Sequence, residues 1–142
     1  MSAVPPGEVA AVVTTVPGGG ARRRGPTGLL VALALAVVVQ LVVLYAPEGV
    51  GPTPFPQADK LAHLTIFLVP VALAVVAGFR RWVVATVFAV HAVLSEVVQT
   101  VFLPHRSGDP MDAVADLTGV ALGVLLGRYL LRVLARREPP PE

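Results

Sequence analysis

Cysteine is absent from this 142-residue chain. That excludes disulfides, thiolate metal sites and thiol nucleophiles. Charge is scarce: 14% of residues are charged, against about 25% in an average soluble domain. Hydrophobic residues make up 55%, and the mean hydropathy is +0.76. A soluble globule of this size keeps too much surface to hide that apolar content. A disordered chain needs the opposite balance, low hydropathy and high charge. Several catalytic signatures are also missing. There is no HExxH, no serine nucleophile elbow and no phosphate loop. No repeat recurs at a fixed period.

What remains is a set of four apolar runs. About 20 apolar residues cross a bilayer core. Residues 28–46 are uncharged, with Gln40 and Tyr45 as the polar atoms. Residues 61–78 are uncharged, with His63 near the start and Pro70 inside. Residues 82–103 carry one formal charge, Glu96. Residues 113–135 hold Asp116 near the start and Arg128 and Arg132 near the end, where arginine can snorkel to the interface. A cleaved signal peptide is the rival reading of the first run. Its length exceeds the usual range of roughly 7–15 residues, and Leu44-Tyr45-Ala46-Pro47 is a poor cleavage site.

The expected fold is therefore an all-α membrane protein, a bundle of four transmembrane helices over 28–135. Residues 1–27 form a basic tail and 136–142 a second tail, both read as disordered from their Pro, Gly and charge. Pro70 is expected to free a carbonyl and bend its helix.

Lys and Arg concentrate on cytoplasmic flanks. With the N-terminus inside, the inner segments hold Arg22, Arg23, Arg24, Arg80, Arg81, Arg128, Arg132, Arg136 and Arg137, and the outer segments hold Lys60 and Arg106. Nine against two places both termini in the cytoplasm. The basic balance is thus a topology signal and not a nucleic-acid footprint. Contact of Arg22–Arg24 with anionic lipid fits the same charge.

This topology brings Asp59, Lys60, His63, Glu96, His105, Arg106, Asp109, Asp112 and Asp116 to the outer face. At 1.5 Å per residue, Glu96 lies roughly 10 Å below the outer end of its helix, and Asp116 about 6 Å below Asp112. At about 100° per residue each helix gains a polar or small-residue stripe: His91, Ser95, Glu96 and Gln99 on the third, and Asp112, Asp116, Gly119, Gly123 and Gly127 on the fourth. Lys60, His63, Phe67 and Ala74 form the stripe on the second. Such stripes face a bundle interior, because intramembrane charge avoids lipid. The glycines, four apart, read first as a close-packing surface.

Several of these residues have plain structural roles open to them. Asp109-Pro110-Met111-Asp112 has the pattern of a helix start, with an N-cap Asp and Pro at the first helical position. Asp59 is expected to cap the second helix in the same way. Lys60 can snorkel, His105 can be solvated, and His91 can be a neutral histidine bonded to a neighbouring helix. Glu96 and Asp116 are harder to place. A lone carboxylate in hydrocarbon costs at least ~2.5 kcal/mol. Glu96, Asp109, Asp112 and Asp116 against Lys60 and Arg106 leave −4 + 2 = −2. That deficit is met by a shared proton, a charged His63 or a cationic ligand.

Three blocks in order carry a resemblance. Asp59-Lys60-Leu61-Ala62-His63 with Phe67, then the run Ser95-Glu96-Val97-Val98-Gln99 continuing to His105-Arg106, then Asp112-Ala113-Val114-Ala115-Asp116 with Gly119 and Gly123, resemble the VanZ-like family of small polytopic bacterial membrane proteins. They cover 59–123. Asp116 stands where that family commonly has Asn, and His105 where Gly is common. The resemblance implies a cell-membrane protein with polar positions at Lys60, His63, Glu96, Gln99, Arg106, Asp112 and Asp116. It also implies a link to resistance against a teicoplanin-type glycopeptide, without an agreed activity.

The leading functional expectation is an outward-facing polar pocket that binds an envelope lipid, a lipid-linked cell-wall precursor or a cation. An interhelical ion-pair network is the alternative. An enzyme with Glu96 or Asp116 as base, His63 as acid–base partner and Arg106 stabilising an anion ranks lower. Transport would need a homo-oligomer, since four spans are few. Nucleic acid is not an expected partner, no cofactor is identified, and no diagnostic spacing marks a metal site.

Overall fold

A computed structural model describes residues 27–46, 55–103 and 109–136. These residues form four α-helices: α1 (Thr27–Tyr45), α2 (Ala58–Val76), α3 (Arg81–Phe102) and α4 (Pro110–Ala135). All four are long and apolar enough to cross a membrane. The helical residues match the four apolar runs, with boundaries displaced by up to three residues. The tails at 1–26 and 137–142, and the segments 47–54 and 104–108, lie outside the described residues.

Each helix end has a local cause. Asp109 is the N-cap of α4, and its side chain accepts from the Met111 N–H at 2.9 Å. Pro110 follows at the first helical position, where its missing N–H leaves no helical bond unmade. α2 begins differently from the expectation. Asp59 is not its cap: the cap position is Gln57, at φ 67°, without a side-chain cap bond. Asp59 instead sits inside the first turn, where an acid favours the positive helix end. α2 closes on Gly78 at φ 92°. The Gly78 N–H donates to Val75 O and the Phe79 N–H to Ala74 O, both at 3.1 Å, a Schellman closure that requires the left-handed residue. This reverses the chain tightly into α3, where the Arg80 guanidinium lies 5.2 Å from the Trp82 ring centre. α2 runs unbroken through Pro70, which is fully buried.

The most extensive helix contact is α2 against α4. Its cause is the glycine stripe. A Cβ on Gly119 would collide with the Leu64 carbonyl, one on Gly123 would lie 2.7 Å from Leu68 O, and one on Gly127 2.7 Å from the Val75 Cβ. Only hydrogen at these three positions permits the approach. Phe67, Val71 and Val75 fill the seam, joined by Leu44, Val84, Ala92 and Val120. The outward surface is apolar and mostly Val and Leu, including Val38, Val42, Val93, Val97 and Leu125. That apolar exterior suits lipid and leaves the polar stripes inward.

Candidate polar site

The N-terminal ends of α2 and α4 and the C-terminal half of α3 meet at one end of the bundle, opposite the Arg80–Trp82 turn. Six of the seven expected site residues lie there: Lys60, His63, Glu96, Gln99, Asp112 and Asp116. Arg106 lies outside the described residues, as does His105. Apart from Lys60, the six are buried.

The site has two tiers. At the rim, Lys60 Nζ donates to Asp109 Oδ2 at 2.7 Å and to Asp112 Oδ1 at 3.0 Å, with Asp59 Oδ2 at 3.5 Å. Lys60 thus does more than snorkel; it ties the first turn of α2 to the start of α4. Asp109 precedes the membrane-spanning part of α4, and the Lys60 ammonium bonded to it holds its carboxyl below the usual range.

Below the rim, His63 Nδ1 donates to Asp116 Oδ1 at 3.0 Å. Asp116 is fully buried, and His63 is 7% exposed. Glu96 projects into the same space from α3. Among the described residues, both Glu96 carboxylate oxygens, Asp116 Oδ2 and the Gln99 amide nitrogen have no hydrogen-bond partner. Nearby hydroxyls do not serve them. Ser95 Oγ donates to Ala92 O and Thr100 Oγ1 to the Glu96 backbone carbonyl. An unmet buried polar group costs about 1–3 kcal/mol, more when charged, so partners for these atoms would stabilise this tier. One donor atom each from His63, Glu96 and Asp116 lies within 4.8 Å of the others. That is a compact set of one nitrogen and two carboxylate oxygens, the hard and borderline donors that divalent ions take.

Glu96 also lines a cleft of about 250 Å³ with Val97, Thr100, Val101 and Pro110. Val97 and Val101 face outward, so the cleft opens on the apolar exterior between α3 and the start of α4, with the Glu96 residue on its wall and the carboxylate oxygens buried behind it.

One polar contact escaped the sequence. Tyr45 Oη and His91 Nε2 are 3.2 Å apart, joining α1 to α3, and the His91 ring lies 5.5 Å from Phe67. A histidine bonded to a neighbouring helix was expected; Tyr45 as its partner was not, because 46 residues separate them. Gln40 on α1 is fully buried, and its amide has no partner among the described residues.

Comparison with family models, with curated proteins and with solved structures finds no match. The functional reading therefore rests on the geometry and the three motif blocks.

Proposed function

We propose that this is a VanZ-like multi-pass protein of the bacterial cell membrane, with both termini cytoplasmic, whose outward-facing polar site binds the head of an envelope lipid or lipid-linked wall precursor. The observation that carries the reading is Glu96: a buried carboxylate with no side-chain partner among the described residues, on a residue that borders a largely apolar cleft. A head group reaches it sideways while its chains stay along Val97 and Val101. The orientation rests on the arginine distribution, and the polar end then faces the envelope. Binding a surface lipid would alter access of a teicoplanin-type glycopeptide to its target.

A second reading has an observation of its own. Lys60 with Asp109 and Asp112, and His63 with Asp116, join α2 to α4 as an ion-pair network would. Glu96 separates the two readings, since it belongs to no pair among the described residues. Purified wild type and Glu96→Gln are compared by native mass spectrometry and lipid extraction. The binding reading expects lipid retained by wild type and lost from a folded Glu96→Gln. Equal retention in both, or collapse of the bundle in the variant, overturns it; collapse favours the network.

A further inference from the structure

We infer that His63, Glu96 and Asp116 hold a divalent transition-metal ion inside the bundle. The three side chains come from three helices, and each is more than nine-tenths buried or close to it, at 7%, 9% and 0% exposure. Their donor atoms lie within 4.8 Å of one another. Ligand atoms around a tetrahedral Zn²⁺, at about 2.0–2.1 Å from the metal, are about 3.3 Å apart. The difference is within the reach of the Glu96 side chain, whose carboxylate is held by no other side chain among the described residues.

Charge points the same way. Two buried carboxylates face one histidine, and the Lys60 ammonium is engaged by Asp109 and Asp112 at the rim. A divalent ion neutralises the pair and supplies partners for the Glu96 oxygens and Asp116 Oδ2. The histidine nitrogen favours a first-row transition ion over Ca²⁺ or Mg²⁺, which prefer all-oxygen shells. Three protein donors leave a coordination position open. Glu96 borders the cleft, so a ligand seated there would lie one side chain away from that position. On the lipid reading proposed above, and only on it, the ligand is a head-group phosphate. This explains how an acidic pocket accepts an anion.

Zn²⁺ is the probe. Full-length protein in detergent is stripped with a chelator, freed of lipid and titrated with Zn²⁺. The expected result is one tight equivalent per chain. Glu96→Gln, Asp116→Asn and His63→Ala should each weaken it by more than the roughly 10–100-fold that loss of a supporting residue costs. His91→Ala should not. X-ray absorption on Zn²⁺-loaded wild type should show one imidazole and otherwise oxygen. That spectrum decides the matter even if a variant fails to fold. No stoichiometric Zn²⁺, a shell with two or more imidazoles, or binding that survives in folded Glu96→Gln overturns the inference. Lipid retained by a protein that takes no Zn²⁺ removes the metal and leaves the lipid reading. Zn²⁺ bound by a protein that retains no lipid does the reverse.

Discussion

His63 and Asp116 meet at 3.0 Å across the α2–α4 seam, and only one of the two Asp116 oxygens is used there. The contact fixes the imidazole and leaves Oδ2 without a partner among the described residues, with a Glu96 oxygen within 4.8 Å of the pair. This one holds two rigid donors close to a third from α3.

Glu96 should therefore destabilise the bare protein. In chelator-treated, lipid-free samples, Glu96→Met removes an unmet buried carboxyl at similar volume. Stability should rise by about 1–3 kcal/mol. Thermal or SDS-induced unfolding followed by circular dichroism measures it. A drop instead would count Glu96 as a structural member of the bundle.

The glycine seam gives the opposite sign. Gly123→Ala places a methyl 2.7–2.8 Å from Leu68 O and the Val71 side chain. Overpacking of this kind costs about 1–3 kcal/mol. Gly28→Ala, with nothing within 4 Å of the added Cβ, should be neutral or slightly stabilising, since alanine is the better helix former. Paired unfolding curves in one detergent test the contrast.

The rim predicts an acid limb. The Asp109 carboxyl titrates below its ordinary range because Lys60 Nζ, and then the Met111 N–H, bond to the ionised form. A group depressed in the folded state stabilises it fully above the unfolded pKa. That contribution is lost as pH falls through the folded value. Asp109→Asn keeps the cap and removes the charge, so its melting temperature should depend less on pH across that window. Curves that run parallel to wild type would contradict the assignment.

The absence of cysteine permits a clean topology test. Phe55 precedes α2 and Phe79 lies in the α2–α3 turn, each about half exposed (51% and 52%). Phe55→Cys should react with a membrane-impermeant maleimide in intact cells, and Phe79→Cys only after lysis. The reverse pattern would invert the proposed orientation.

Much of this architecture was legible in the residues. Apolar run length located the helices, because a bilayer sets their span. The glycines at 119, 123 and 127 announced the seam, because spacing along one helix is local information. Asp109 announced its own cap for the same reason. Contacts between distant helices were less accessible. Lys60 reaches Asp109 and Asp112 only because the seam fixes the register of α2 on α4. Asp59 falls inside the helix and not at its cap, since Gln57 takes the left-handed turn and moves the helix start back. The meeting of His63, Glu96 and Asp116 was legible as shared depth, but not as 4.8 Å, which depends on how closely backbones approach.

The seam has one more effect. With hydrogen at three successive crossing points, α2 and α4 lock into a single block that carries the imidazole and one carboxylate. Glu96 arrives on α3, which touches that block less extensively. The geometry of the pocket thus depends chiefly on the placement of α3. A shift of α3 would move one donor of the site and one wall of the cleft together, since Glu96 belongs to both.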